Sequence, residues 1–138
     1  MAGFVLSAAW EFAHSPLYTD HLRGVGYVLW TRLHCTAGDV LILVVAFWVT
    51  GLVFTGRRWY ERAHLWRVGT FTGLGLAYTA WSEWFNTTVR GTWAYTEAMP
   101  TVFGLGLTPL LQWTVLPPVV VLILRKVAPS HGTEGHAR

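Results

Sequence analysis

Charge is scarce in this chain of 138 residues: Asp, Glu, Lys and Arg together make up 12%, against 53% hydrophobic residues and a mean hydropathy of +0.40. A soluble domain closes its core with far fewer apolar residues, so this composition excludes water as the main solvent. Cysteine is almost missing. Cys35 alone excludes an internal disulfide and leaves the redox compartment unspecified; a lone thiol in an apolar stretch reads as a small buried helix residue. No basic stripe exists either. The net charge of +3 and the pI near 9.4 come from clusters between apolar runs, so a nucleic-acid partner is not expected. The first apolar stretch has no basic segment before it and no small-x-small cleavage site after it, and is expected to be retained, not removed as a signal peptide.

What the chain does have is aromatic and apolar. Nine Trp, five Tyr and seven Phe amount to 15% of the residues, many at the edges of apolar runs, as in the belts that mark membrane interfaces. A helix needs about 20 apolar residues to cross a hydrocarbon core. Stretches at 33–54, 68–87 and 102–124 meet that length, and a shorter one at 2–18 contains Glu11 and His14. The expected fold is therefore all-α: a polytopic transmembrane bundle of about four spans in one domain, residues 1–128. The tail at 129–138, with His131 and His136, has no apolar period and is expected to be disordered. With four crossings, Arg57, Arg58, Arg62 and Arg67 share a side with Arg125 and Lys126, opposite Arg23, Arg32 and Arg90. The positive-inside bias then places both termini in the cytoplasm and the loops 19–32 and 88–101 outside.

Ionisable groups inside such helices cost about 2.5–3.5 kcal/mol each at mid-helix, so each needs a partner or a role. Glu11 and His14, Asp39, and Glu83 with Asn86 all fall toward the outer ends of their helices. Glu11, His14 and Tyr18 share one face, as do Glu83, Asn86 and Arg90, then Arg32, Cys35 and Asp39, and lastly Thr108 and Gln112. Four polar faces turned inward make a bundle with a polar interior site. The plain alternative is helix glue, through Glu83–Arg90 or Arg32–Asp39 pairs. Such pairs return only about 0.6 kcal/mol on average, which is little for three carboxylates and two histidines gathered at one depth.

Glu11, Asp39 and Glu83 are thus the candidate acid–base carboxylates, His14 and His34 proton carriers, and Asn86, Arg90, Tyr95 and Gln112 ligand-binding groups. Glu11-x-x-His14 has the i, i+3 spacing of a di-iron bundle, with His34 and Asp39 as further candidate ligands. The matching position on the third helix reads Glu83-x-x-Asn86, so no metal site is expected, and the sequence names no cofactor. The loop from Arg90 to Pro100 reads either as a lid re-entering over the bundle or as an ordinary interfacial loop. Gly69-x-x-x-Gly73 and Gly75 offer a small-residue packing face. Pro109, Pro117 and Pro118 are expected to kink the last helix.

Trp10-Glu11, Ser15-Pro16-Leu17-Tyr18, Gly38-Asp39, Glu83-x-x-Asn86, Gly91-Thr-Trp93-Ala-Tyr95, Met99-Pro100 and the run from Gly104 to Trp113 with Pro117-Pro118 resemble a group of uncharacterised bacterial four-helix membrane proteins. That resemblance implies a multi-pass protein of the bacterial cytoplasmic (inner) membrane. An acid followed by Gly-x-Trp-x-Tyr and a Pro-Leu-rich last helix is similar, more distantly, to membrane lycopene cyclases and carotenoid-processing proteins. Those cyclases carry tandem acids after Pro-Leu, where this chain has Leu111 and Gln112. Two functions follow as expectations: an outward-facing pocket that binds or transforms an isoprenoid, carotenoid or quinone, or a non-catalytic accessory subunit of a larger membrane complex. Membrane lipid, a hydrophobic small molecule and other membrane subunits are the expected partners. Whether a reaction is catalysed stays open.

Overall fold

The structure is a computed structural model and describes residues 1–54, 56, 58–62 and 64–127. Arg57 and the tail expected to be disordered, with His131 and His136, lie outside the described residues. Four helices form, α1 (Ala2–His14), α2 (Val25–Val53), α3 (Leu65–Trp84) and α4 (Leu107–Val127), so the all-α expectation holds. They pack as a ring in which α1 and α3 each touch both α2 and α4. Of the four, α2 and α4 are long and apolar enough to cross a membrane. At a rise of about 1.5 Å per residue, the 13 residues of α1 reach only about 20 Å, short of a hydrocarbon core near 30 Å. α3 has the length, but Gly69, Gly73, Gly75 and its threonines dilute its apolar character.

The helix bounds differ from the apolar runs for identifiable reasons. α2 starts at Val25, eight residues before the run at 33–54, so Arg32 lies inside the helix and not in an outer loop. A buried arginine does not end a helix when carboxylates from neighbouring segments meet its charge, as they do here. Residues 102–106, expected at the start of the last helix, instead form the hairpin β1 (Thr101–Val102) and β2 (Leu105–Gly106), antiparallel with Val102 opposite Leu105. Phe103 (φ 52°) and Gly104 (φ 78°) both adopt left-handed backbone, the requirement of a tight two-residue hairpin turn. That turn leaves Pro109 in the first turn of α4, where a missing N–H costs no intrahelical bond, while α4 continues through Pro117 and Pro118.

The two ends of the bundle are filled differently. At the α2–α3 turn, Leu43, Ala46, Trp59, Phe71, Trp113 and Val121 make an apolar core. Phe71 is fully enclosed, edge-on to Phe47 and Trp59 with ring centres 6.0 and 5.6 Å away. Of the glycine face on α3, Gly75 alone packs closely against another of the described residues. A Cβ there would lie 2.0 Å from the Trp113 ring, whereas Gly69 and Gly73 face open space.

At the opposite end, the loop from Arg90 to Pro100 folds back over the helices, as a lid would. Thr19 N–H donates to Ala94 O at 3.0 Å, Thr96 N–H donates to Leu17 O at 2.9 Å, and Tyr18 pairs with Tyr95 between them.

Candidate functional site

Beneath that loop lies a cavity of about 460 Å³. Glu11 of α1, Asp39 of α2 and Glu83 of α3 all line it, together with His34, Asn86, Arg90 and Gln112. His14 and Tyr95, also anticipated from the sequence, do not line it and act on it through Glu11 and Glu83.

Each carboxylate has its own partners. Glu11 faces the guanidinium of Arg32 at 3.5 Å and the His14 Nε2 at 3.2 Å. The His14 contact is close enough for an ion pair but is not aligned as a hydrogen bond. Arg32, only 4% exposed, donates its other arm to Asp20 Oδ2 at 2.5 Å and sits over the Tyr18 ring at 5.2 Å. The arrangement satisfies a buried cation with two anions and an aromatic face, which matters because an isolated charge in such an interior is expensive. Asp39 receives a hydrogen bond from Gln112 Nε2 at 2.5 Å. Glu83 accepts from Tyr95 OH and, at 3.4 Å, from Tyr18 OH.

These pairings correct two expectations. Arg32 bonds Glu11 and Asp20 instead of Asp39, because Asp20 lies in a 3-10 turn, Thr19–Arg23, that packs against α2. Glu83 bonds two tyrosines instead of Arg90, because α3 ends in a π-helical turn, Phe85–Val89, in which Arg90 N–H reaches back to Phe85 O at 2.9 Å. The added residue swings Arg90 out to solvent at the cavity rim. Within that turn Asn86 donates to Ser82 O at 2.9 Å, and its own carbonyl accepts from Thr92 N–H, so it shapes the start of the loop while lining the cavity.

Tyr95 holds the loop to the site. Its hydroxyl donates to Glu83 and accepts from Gly106 N–H at 2.9 Å, joining α3, the loop and β2 at one oxygen. Burial, then the hydrogen bond to Glu83, pushes this phenol above its ordinary range, so it remains a neutral donor. The chain matches no family model, no curated protein and no solved structure. The likeness to carotenoid-processing proteins therefore rests on its short motifs, and the functional reading rests on the residues.

Several contributors were not among the candidate site residues, although the sequence puts Tyr18 and Arg32 on polar helix faces. Asp20 is 7% exposed yet stands among Thr19, His21 and Arg23, the company of a solvated loop. Tyr18 had a usable signal, its place on the Glu11–His14 face. Arg32 had one also, an arginine flanked by apolar residues. His34, by contrast, is exposed and stacks on Trp30 at the rim, 6.2 Å between ring centres. Among the described residues no group of three His, Cys, Asp or Glu is arranged to hold a metal ion, and Glu11, His14 and His34 do not gather into one.

Proposed function

We propose that this chain is a multi-pass membrane protein whose interhelical cavity binds or transforms a lipid-soluble molecule, an isoprenoid, carotenoid or quinone. In this reading all four helices cross or enter the bilayer of a bacterial inner membrane, the termini are cytoplasmic and the cavity opens toward the outer leaflet. Long apolar helices α2 and α4 support membrane residence, as do exposed Leu, Val and Trp side chains along α2. The observation that carries the function is that carboxylates from three separate helices, Glu11, Asp39 and Glu83, open on one cavity of about 460 Å³. A volume of that size lies in the range of small-molecule sites, about 300–1,000 Å³. Asp39 and Glu83 are held by neutral donors and so are the acid–base or orienting groups. Glu11, tied to Arg32 and His14, sets the field around them, and Arg90 stands at the mouth.

The test is the content of the purified protein. Organic extraction and mass spectrometry should recover a lipid-soluble compound at a fixed ratio to wild-type chain, and Glu83→Gln and Asp39→Asn should lower that ratio several-fold. An unchanged ratio in both variants counts decisively against the pocket. The second reading, a non-catalytic subunit of a respiratory, photosynthetic or transport complex, draws on Gly69 and Gly73, a close-approach face that none of the described residues covers. A protein recovered in equal amount with the wild type and lost from Gly69→Leu would favour it.

A further inference from the structure

The cavity has walls of unequal openness. Its top is closed by the paired segments around Tyr18 and Tyr95, and its floor by Trp113 and Ile42. On the remaining flank, the portion of α2 before Asp39 and the last turns of α3 both line the cavity, yet their lining residues Tyr27, Trp30 and Tyr78 are 38%, 70% and 48% exposed. These two helices meet instead at their other ends, where Phe47 packs on Phe71. In a bilayer, that flank is a side door facing lipid, framed by aromatic side chains suited to the interface.

Charge narrows what can pass through it. Four carboxylates line the cavity, Glu11, Asp20, Asp39 and Glu83, against one enclosed cation, Arg32, whose charge two of them already offset. The other basic groups at its edge, Arg90 and His34, are exposed. An anionic head group would be enclosed with no cation left to balance it, at a cost set by the low dielectric. Asp39 and Glu83, bonded only to neutral donors, keep acceptor capacity for a group that donates hydrogen bonds.

We propose that the cavity loads sideways from lipid between α2 and α3 and takes a single-tailed lipid with an uncharged, hydroxyl-bearing head, such as a polyisoprenoid alcohol or quinol, in preference to a prenyl phosphate. The head sits at Asp39 and Glu83, and the tail leaves past Trp30 and Tyr78. This rests on the pocket reading above and goes further by naming head group and entrance.

The full chain in phosphatidylcholine nanodiscs tests it, because Trp30, Trp93 and Trp113 line the cavity and report occupancy by fluorescence. Farnesol should quench saturably, and farnesyl phosphate should bind at least tenfold more weakly. Gly38 lines the cavity with open space where its Cβ would be, so Gly38→Leu should fill the site without a clash and weaken farnesol tenfold or more; Gly69→Leu, equally open but off the cavity, should not. Cys35, the sole cysteine, lines the cavity as well and reports the entrance. A lipid-soluble maleimide should label it at least tenfold faster than a charged, impermeant one, and farnesol should slow that labelling even if Gly38→Leu fails to fold. Equal binding of farnesyl phosphate overturns the head-group assignment alone, and equal labelling by the charged reagent overturns the side entrance alone. Farnesol quenching that never saturates, with Cys35 labelling unaffected by farnesol, sinks this inference and the pocket together.

Discussion

At the α2–α3 turn the space between helices is occupied by rings: Phe47, Trp59 and Phe71 lie 5.2–6.0 Å apart, and among the described residues no Asp, Glu, Lys or Arg belongs to that core. Under the Arg90–Pro100 loop the same space holds Glu11, Asp20, Arg32, Asp39 and Glu83 around a void. An apolar core of the first kind is held by non-directional burial and asks only that its side chains fill the space at native density. A polar interior of the second kind is stable only when every charge finds a partner with correct geometry. The first end secures the bundle, while the second gives up stability to keep several carboxylates within reach of one cavity.

The largest expected effect tests the polar end. Arg32→Leu leaves Glu11 and Asp20 buried without a cation, and thermal unfolding in detergent should show a loss of about 3–5 kcal/mol, the usual cost of breaking one side of a buried pair. Adding Glu11→Gln and Asp20→Asn should recover most of it. If the triple variant is no more stable than Arg32→Leu, the Arg32 cluster is not what organises this end.

A smaller effect is expected at the seam, where Trp113 belongs both to the apolar core and to the cavity wall. Gly75→Ala drives a Cβ into the Trp113 ring and should cost about 1–3 kcal/mol by the same measurement, as overpacking does. Stability equal to wild type would show that α3 and α4 slide freely there. Glu83→Gln should cost about 1 kcal/mol or less, because an amide oxygen still accepts from Tyr95 and Tyr18 while no charge is left buried. A loss comparable to that of Arg32→Leu would mean Glu83 is structural, and would remove the contrast between the paired Glu11 and the available Glu83.

The smallest effect is with pH. Tyr95 titrates above its ordinary value in the folded chain, so its contribution to stability is complete below about pH 10 and declines as pH rises toward the raised value. Tyr95→Phe should remove that alkaline decline, read as the slope of melting temperature between about pH 9 and 11. An unchanged slope would show that the loop is not held through this hydroxyl.

Much of this contrast was legible in the residues and some was not. α2 and α4 follow from apolar runs, and Glu11, Asp39 and Glu83 stand out because carboxylates in such runs need a reason. The path of the Arg90–Pro100 loop, open in the sequence between a lid and an ordinary interfacial loop, is fixed by backbone pairing between residues 17–19 and 94–96, which no side-chain pattern encodes. Asp20 was hidden by its polar neighbours, and the hairpin before α4 by its apolar ones. Partners such as Gln112 and Asp39, 73 positions apart, cannot be matched from helical spacing, which relates residues only within one helix.

By itself, the amino-acid order determined an apolar, helical chain with acidic groups where apolar packing alone would not put them, because hydrophobic periodicity and the cost of buried charge are properties of local sequence. Which acid meets which donor, which carboxylates Arg32 pairs with, and that a cavity remains among the four helices were decided only by tertiary structure. Those outcomes depend on how four helices are staggered and turned against one another, and a turn such as Ser15–Arg23 or Phe85–Val89 sets that in three dimensions.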